Sequence, residues 1–408
     1  MIEKKRWIML FLYCFLQWSG GSIWITFASI TKKSESYYSI HAAVLNLFSL
    51  SFLIMQFPMA PLSSVLFRRS YYWTMMLAFV ISVIGVWVRV LAERNVAIAL
   101  LGQTLVGAMN SMTLPGCAVL AKVWFEEKER PITVAIASTS SLLGAAYGLV
   151  IAPYFQNIQN LLLSQAAYMT LSGILNVILS RNIKVVTEEN TNFKLELRLA
   201  MKDKYLVILI ILISSALGVA YAITGIIYQI LEPFGITEKQ SGWIGFSMYI
   251  GGTTGGLLTS IVVLKTKNFV NPIRIFAAFS IFGIGFWGAL ADFPIADVIG
   301  AGFCGLGLYG IMPLGIQAVV DQNRHVPESI STNMIYLIAQ ALSVVYTYPM
   351  VYFDSFAMVS GIWLGVGLCT LSFVLLIMIY REILIEKYKE VNESVASSMK
   401  SVLNVQVN

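Results

Sequence analysis

Apolar runs of roughly 20 residues recur along almost the whole chain, with short polar segments between them. A run of that length is long enough to cross the ~30 Å hydrocarbon layer of a bilayer as an α-helix. The apolar residues are continuous within each run, which argues against the alternating pattern of a β-barrel. The sequence predicts about twelve membrane-spanning helices, near residues 7–30, 41–66, 71–92, 96–123, 131–155, 161–180, 205–232, 241–264, 271–291, 295–321, 329–352 and 357–382.

The amount of charge supports the same interpretation. Hydrophobic residues make up 58% of the chain and charged residues only 12%, whereas a soluble domain carries about 25% charged residues. No polar segment is long enough to form a separate soluble domain. We therefore expect an all-α membrane protein with little mass outside the bilayer. The leading function of such proteins is to move a solute across the membrane.

Several other function classes lack the residues that they need. The sequence has no nucleotide-binding loop, no paired carboxylates within a span and no His-rich cluster. We therefore expect no enzymatic activity, no cofactor and no metal site. The basic residues are scattered over short loops, so they do not form the basic patch that a nucleic-acid partner requires.

The basic residues are unevenly divided between the two sides of the predicted helix bundle. One side receives only Lys32, Lys33, Arg89, Arg94 and Lys239, and the rest of the 27 Lys and Arg residues fall on the other. The positive-inside rule places the richer side in the cytosol. This predicts that both termini are cytosolic, and we expect the plasma membrane as the location.

A polar stretch at residues 181–204 divides the chain into two parts with six predicted helices each. We assign residues 1–182 to an N-terminal six-helix bundle, 183–204 to a cytosolic central loop, 205–382 to a C-terminal six-helix bundle and 383–408 to a cytosolic tail. The fourth helix of each part carries a related motif, Leu114-Pro115-Gly116 and Pro313-Leu314-Gly315. Two related six-helix halves are typical of the major facilitator fold.

The candidate substrate-binding residues lie within the predicted spans. Trp24 is on the first helix, and Tyr221 and Tyr228 are on the seventh, which occupies the equivalent position in the second half. Aromatic faces attract organic cations, although a tryptophan such as Trp24 also serves in packing or at the membrane interface. Asn110 and Gln340 are uncharged polar residues that require either a partner helix or a wet cavity.

The candidate gating residues lie at predicted helix ends on the basic side. The loop after the fourth helix reads WFEEKERP and contains Trp124, Glu129 and Arg130. Asp321 and Glu328 flank the corresponding loop of the second half. These residues either form ion pairs that close one side of the protein or make an ordinary solvated surface.

Several motifs resemble one family, the feline leukaemia virus subgroup C receptor-related transporters of the major facilitator superfamily. Arg6-Trp7 followed by WITFAS resembles the first helix of that family, and VWFEEKER resembles its loop after the fourth helix. LLGAAYG resembles its fifth helix, Thr224-Gly225 with Tyr228 its seventh, and PLGIQAVVD with the later Ala339-Gln340 its tenth and eleventh. The resemblance spans both halves in the expected order.

The resemblance implies transport of choline and related amines such as ethanolamine or, in an older assignment, haem export. By matching positions, Trp24 and Tyr228 would form an aromatic cage around the ammonium group, and Gln340 would line the same cavity. One position departs from the family pattern, because a cavity glutamine is replaced by Leu142. That change weakens the expected recognition of a hydroxyl group and leaves the choice of cargo open.

Three functions remain after these arguments. The first is a carrier for a small organic cation that works by alternating access. It would be a facilitator, because the helices expected to line the cavity lack the acidic residues that ion-coupled carriers hold there. The second is a haem or porphyrin exporter, and the third is a membrane receptor that transports nothing. The expected partners are the small-molecule cargo and the lipid bilayer, with the chain acting as a monomer.

Overall fold

The computed structural model describes residues 2–179, 198, 201, 204–266, 270–289, 294–322 and 328–352. This part of the chain is helical and contains no strand, which confirms the all-α prediction. Its helices are α1 (Ile2–Trp24), α2 (Thr31–Tyr38), α3 (Ala42–Arg69), α4 (Tyr71–Leu91), α5 (Val96–Thr113), α6 (Gly116–Trp124), α7 (Arg130–Ile151), α8 (Ile158–Leu179), α9 (Lys204–Gly225), α10 (Ile227–Leu231), α11 (Glu238–Thr266), α12 (Val270–Ala289), α13 (Pro294–Leu308), α14 (Ile311–Gln322) and α15 (Glu328–Tyr352). Nine helical stretches among the described residues are long and apolar enough to cross a membrane.

Three of the predicted spans are interrupted helices. The fourth span consists of α5 and α6, the seventh of α9 and α10, and the tenth of α13 and α14. Pro115 lies between α5 and α6, and Pro313 lies in the first turn of α14. Proline has no N–H group to donate to the carbonyl four residues earlier, so a helix weakens just before it. The Pro-Gly motifs of the two halves therefore coincide with breaks in both fourth helices.

The first predicted span is shorter than expected. The regular helix α1 ends at Trp24, turns follow through residues 25–29, and α2 then covers the start of α3 at one end of the bundle. The twelfth span at 357–382, the tail at 383–408 and most of the loop at 183–204 lie outside the described residues. The boundaries assigned to the two bundles therefore stay a prediction.

The described helices of the two parts pack in matching pairs. Helix α1 packs on α7 as α9 packs on α15, α3 packs on α5 as α11 packs on α13, and α4 packs on α5 as α12 packs on α13. Between the parts, α7 packs on α11 and α3 packs on α15, which are again equivalent contacts. Such repetition is expected of two copies of one helical unit arranged around a common axis.

Close contacts between these helices depend on glycine. A Cβ atom at Gly144 of α7 would lie 1.9 Å from the carbonyl oxygen of Trp18 on α1. A Cβ atom at Gly251 of α11 would lie 2.1 Å from the carbonyl oxygen of Gly302 on α13. Small residues let membrane helices approach until their backbones touch, so these glycines hold the helices that surround the centre of the molecule.

Candidate functional site

A small cavity lies between the two parts of the molecule. Its volume is about 30 Å³. Trp24 at the end of α1, Leu114 at the break between α5 and α6, and Met312 in the first turn of α14 all contribute to its wall. Interrupted helices are the usual construction of a membrane transport site. The complete lining is Trp24, Phe52, Leu53, Asn110, Leu114, Ser138, Ser141, Leu142, Tyr221, Met312, Tyr336 and Gln340.

Three aromatic side chains form much of one wall. The rings of Trp24 and Tyr221 meet edge to face, with centroids 5.4 Å apart and an interplanar angle of 90°. Tyr221 packs in turn against Tyr309, at 5.8 Å, and the Tyr309 hydroxyl lies 3.0 Å from the hydroxyl of Thr224. Tyr336 of α15 lines the cavity beside them. This support from Tyr309, in the turn between α13 and α14, fixes the orientation of the Tyr221 ring.

The polar groups of the cavity are all uncharged. Asn110, Ser138 and Ser141 contribute from the first part and Gln340 from the second. Gln340 is only 5% exposed, and its Oε1 atom has no hydrogen-bond partner among the described residues. None of the described lining residues is acidic or basic. The cavity therefore offers aromatic faces and neutral hydrogen-bonding groups to a ligand.

The structure brings five of the six predicted substrate-binding residues together. Trp24, Tyr221, Gln340, Asn110 and Leu142 all line the cavity. The sixth, Tyr228, does not line it.

Tyr228 lies in the short helix α10, close to Lys32 of α2. The contacts with Glu232 and Tyr228 raise the pKa of Lys32. Tyr228 therefore belongs to one end of the bundle, at a different depth from the cavity.

Seven of the twelve lining residues were not among the predicted ones, and two of the seven lie one helical turn before a predicted residue. Tyr336 lies four residues before Gln340, and Ser138 lies four residues before Leu142. Residues four apart share one face of a helix. This spacing was a signal that could have identified both residues once Gln340 and Leu142 had been chosen.

Two ion pairs lie at the end of the bundle where α1 begins, which we call the basic face, and one of them joins the two parts. Lys122 of α6 lies 2.9 Å and 3.0 Å from the two carboxylate oxygens of Glu328 on α15. Arg6 of α1 donates two hydrogen bonds to Glu129, at 2.8 Å and 3.2 Å, and this pair lies within the first part. Two of the predicted gating residues, Glu129 and Glu328, therefore form ion pairs.

The remaining predicted gating residues have different positions. Trp124 is partly buried against the core, and its indole N–H has no partner among the described residues. The Nε atom of Arg130 is likewise buried without a partner in the described part of the chain. Asp321 lies in the last turn of α14, and its side chain is outside the described residues.

Asn333 forms a second connection near the basic face. Its Nδ2 atom lies 2.9 Å from the carbonyl oxygen of Ala60, and 2.8 Å from each of the Ser63 and Ser64 hydroxyl oxygens. Its Oδ1 atom accepts a hydrogen bond of 3.2 Å from Gln56 Nε2. One buried amide on α15 therefore holds two turns of α3 across the boundary between the parts.

The opposite face of the bundle has a separate set of contacts. Lys32 of α2 pairs with Glu232 at 2.6 Å, and the backbone N–H of Lys33 donates to Glu238 Oε1 at 3.1 Å. Below them, the Asn46 and Gln229 amides exchange two hydrogen bonds, at 3.2 Å and 2.6 Å. Contacts at both faces therefore connect the two parts, and the cavity lies between these contacts.

One buried charge lies inside the first part. Arg89 of α4 is only 1% exposed. Its guanidinium group donates to Gln165 Oε1 at 3.1 Å and lies 5.6 Å from the centre of the Phe27 ring. By sequence, Arg89 is one of the few basic residues on the less basic side of the bundle. The structure places it within the helix bundle, and it does not line the central cavity.

The comparison with known proteins agrees with this architecture. Residues 7–346 match the model of the Major Facilitator Superfamily. An uncharacterized MFS-type transporter of Caenorhabditis elegans is 24% identical over 86% of the chain, and the match spans 64% of the length of that relative. The choline/ethanolamine transporter flvcr2b of Danio rerio is 21% identical over 85% of the chain and 77% of its own length.

The fold itself matches a solved structure. A crystal structure of the Escherichia coli fucose:proton symporter superposes with a TM-score of 0.64, covering 92% of this chain and 99% of the symporter at 12% identity. The resemblance noted from sequence motifs and the expected twelve-helix architecture are thereby confirmed. The chain is a multi-pass membrane protein that belongs to the Major Facilitator Superfamily.

Proposed function

We propose that this transporter is a facilitator for small organic cations of the choline and ethanolamine class, working by alternating access. The observation that carries the proposal is the composition of the central cavity. Trp24, Tyr221 and Tyr336 line it beside uncharged polar groups, and no described lining residue is charged. An aromatic wall without a carboxylate is suited to an ammonium group, which it attracts by about 0.5–2 kcal/mol per ring.

The polar groups would orient the rest of the cargo. The unpartnered Oε1 atom of Gln340 is a hydrogen-bond acceptor, and the hydroxyl of an alkanolamine is a donor of the right kind. Leaving a buried acceptor unpaired costs about 1–3 kcal/mol, so a cargo that satisfies it gains affinity. This argument favours a cation that also carries a hydroxyl or an N–H group.

The contacts at the two faces would act as the gates of the transport cycle. A cavity of about 30 Å³ has room for about two water molecules, so cargo enters only when the parts move apart. In our proposal, Lys122–Glu328 and Asn333 open at one face and Lys32–Glu232 opens at the other. Trp124, Glu129, Arg130 and Asp321 would support the first of these gates.

The name of the Danio rerio relative, a choline/ethanolamine transporter, supports the same cargo class. Haem is less well supported, because iron ligands in haem proteins are His, Cys, Met or Tyr and the described lining offers only Met312, Tyr221 and Tyr336. We further propose that the basic face lies in the cytosol, that the plasma membrane is the location and that the chain acts as a monomer.

The test is uptake of labelled choline into cells that lack their own choline carrier. Trp24→Ala and Tyr221→Ala should each raise the KM about 2- to 30-fold, because each removes one aromatic face worth about 0.5–2 kcal/mol. Trp73→Ala is the matched control, because Trp73 is 69% exposed on the outer surface of the bundle. Uptake by the wild type that neither cavity variant alters would refute the proposed site.

A second measurement separates facilitated from ion-coupled transport. The described cavity residues include no carboxylate or histidine that could take up a coupling proton. Uptake should therefore persist when the proton and sodium gradients are abolished with the membrane potential held constant. Uptake that stops under those conditions would contradict a facilitator.

A further inference from the structure

A second, smaller cavity lies inside the first part of the molecule. Its volume is about 10 Å³, close to the space that one water molecule needs. Helices α1, α4, α5 and α8 enclose it, and we call it the side cavity. It is lined by Leu16, Gly20, Ala78, Ser82, Val106, Met109, Asn110, Thr113 and Met169.

Asn110 is the residue that the two cavities share. It appears in the wall of the central cavity and in the wall of the side cavity. Its amide lies against α1 at Gly20, where a Cβ atom would lie 2.4 Å from Asn110 Oδ1. Because only glycine leaves room for the amide at that point, the side chain is held between the two spaces as a partition.

We propose that Asn110 determines the specificity of the transporter by setting the size limit of its cargo, because it separates the central cavity from a side cavity that would hold one arm of a larger cation if the side chain at position 110 were shorter. The inference rests on the proposed transport of organic cations. The partition confines a small cargo to the central cavity. A shorter side chain at position 110 joins the two spaces and admits a longer substituent.

The lining of the side cavity indicates what kind of arm it would take. Ala78, Met109 and Met169 give it an apolar wall, while Ser82 and Thr113 add hydroxyl groups. The Thr113 hydroxyl donates to backbone carbonyls of its own helix, at 3.2 Å and 3.0 Å. A short alkyl or hydroxyalkyl chain matches this mixture, whereas a charged arm would lose hydration without gaining a partner.

The size of the effect follows from the atoms removed. Asn110→Ala deletes the three-atom amide head, and the side cavity adds space for about one water molecule. The joined space should accept an arm longer by about one or two methylene groups. Each methylene buried there should strengthen binding about fourfold.

The experiment measures inhibition of labelled choline uptake by alkyltrimethylammonium ions with alkyl chains from ethyl to hexyl. For the wild type, we expect inhibition to fall sharply beyond a short chain. For Asn110→Ala, inhibition should fall only at an alkyl chain that is one or two carbons longer. Up to that length, each added carbon should strengthen inhibition about fourfold. Asn110→Gln, which extends the partition, should move the limit in the opposite direction and provides a test that does not depend on a truncated side chain.

Two further variants identify the space responsible. Adding Ser82→Val to Asn110→Ala fills the side cavity and should restore the wild-type limit. Asn176→Ala removes another buried asparagine, which lies on α8 and away from both cavities. The longest alkyl chain that inhibits this variant should therefore be the same as for the wild type.

The outcomes separate this inference from the function on which it rests. A wild type that takes up no choline and is inhibited by no ammonium ion overturns the proposed function. A wild type with a clear size limit that stays unchanged in surface-expressed Asn110→Ala and Asn110→Gln overturns the role of Asn110 alone. If Asn110→Ala shifts the chain-length limit and the added Ser82→Val does not return it to the wild-type value, the side cavity is excluded as the subsite.

Discussion

Removal of the Asn333 amide should release one face of the transporter. This amide is buried, and it connects α15 to Ala60, Ser63 and Ser64 of α3 while accepting from Gln56. An amide nitrogen has two hydrogens, so two of its three possible acceptors are engaged at any moment. Asn333→Ala therefore abolishes three hydrogen bonds between the two parts.

The magnitude follows from the environment. Hydrogen bonds between membrane helices contribute about 0.6 kcal/mol each on average, because partners are also found when the helices separate. Three such bonds amount to about 2 kcal/mol, which is about a 30-fold change in an equilibrium constant. We expect the ratio of open to closed basic faces to rise by that factor in Asn333→Ala.

Pulsed electron paramagnetic resonance can measure this ratio in purified protein. Spin labels at Lys128→Cys and Lys265→Cys, both exposed at the basic face, report the distance between the two parts in a background without native cysteines. Asn176→Ala is the matched control, because Asn176 is a buried asparagine on α8, away from the contacts between α3 and α15. Unchanged distance populations in Asn333→Ala, or an equal change in the control, would refute the reasoning.

Three further perturbations should have distinct signatures. Gly144→Ala pushes a methyl group against the backbone of α1 and should lower the free energy of unfolding by about 1–3 kcal/mol or more, measured by thermal unfolding in detergent. Gln165→Leu removes a hydrogen bond to the buried Arg89 charge and should cost about 1.5–3 kcal/mol, whereas Arg89→Met should cost less because it removes the charge as well. The Lys32–Glu232 contact, in which the pKa of Lys32 is raised from 10.5, should be fully present below pH 10.5 and lost as pH rises through the higher value, measured as opening of the opposite face.

Each of these has a control and a contradicting result. Gly285→Ala meets no atom within 4 Å, so equal destabilisation by both alanines would count against the clash. A larger loss for Arg89→Met than for Gln165→Leu would show that the charge itself stabilises the bundle. For the Lys32 contact, Lys32→Met should remove the alkaline transition, and its persistence would assign the transition to another group.

Much of the fold could be predicted because its signals are local. An apolar run of about 20 residues specifies a membrane helix wherever it occurs, and proline breaks a helix through its own chemistry. The spans around Pro115 and Pro313 were predicted as continuous helices, and the same proline chemistry explains why the structure interrupts them there. Trp24 on α1 and Tyr221 on α9 reach the same cavity because equivalent helices of two similar halves occupy equivalent places around one axis.

The depth of a residue along a helix could not be predicted in the same way. Tyr221 and Tyr228 are seven residues apart, so on a regular helix they would share a face while differing by about 10 Å along its axis. The helix is also interrupted at Ile226, between them. Only Tyr221 lies at the level of Trp24. Arg89 shows a related limit, because its partners Gln165 and Phe27 come from distant parts of the sequence.

The presence of contacts at both ends of the bundle has a thermodynamic consequence. In the facilitator proposed above, the Lys122–Glu328 and Lys32–Glu232 contacts change the free energies of the conformational states and the barriers between them. These states and barriers belong to one closed transport cycle. Detailed balance requires that such a cycle leaves the resting distribution of cargo to the cargo's own electrochemical gradient. Strengthening either set of contacts should therefore change the rate at which cells reach that distribution. It should also change the cargo concentration that gives half-maximal transport on each side of the membrane. The final accumulation of cargo stays the same.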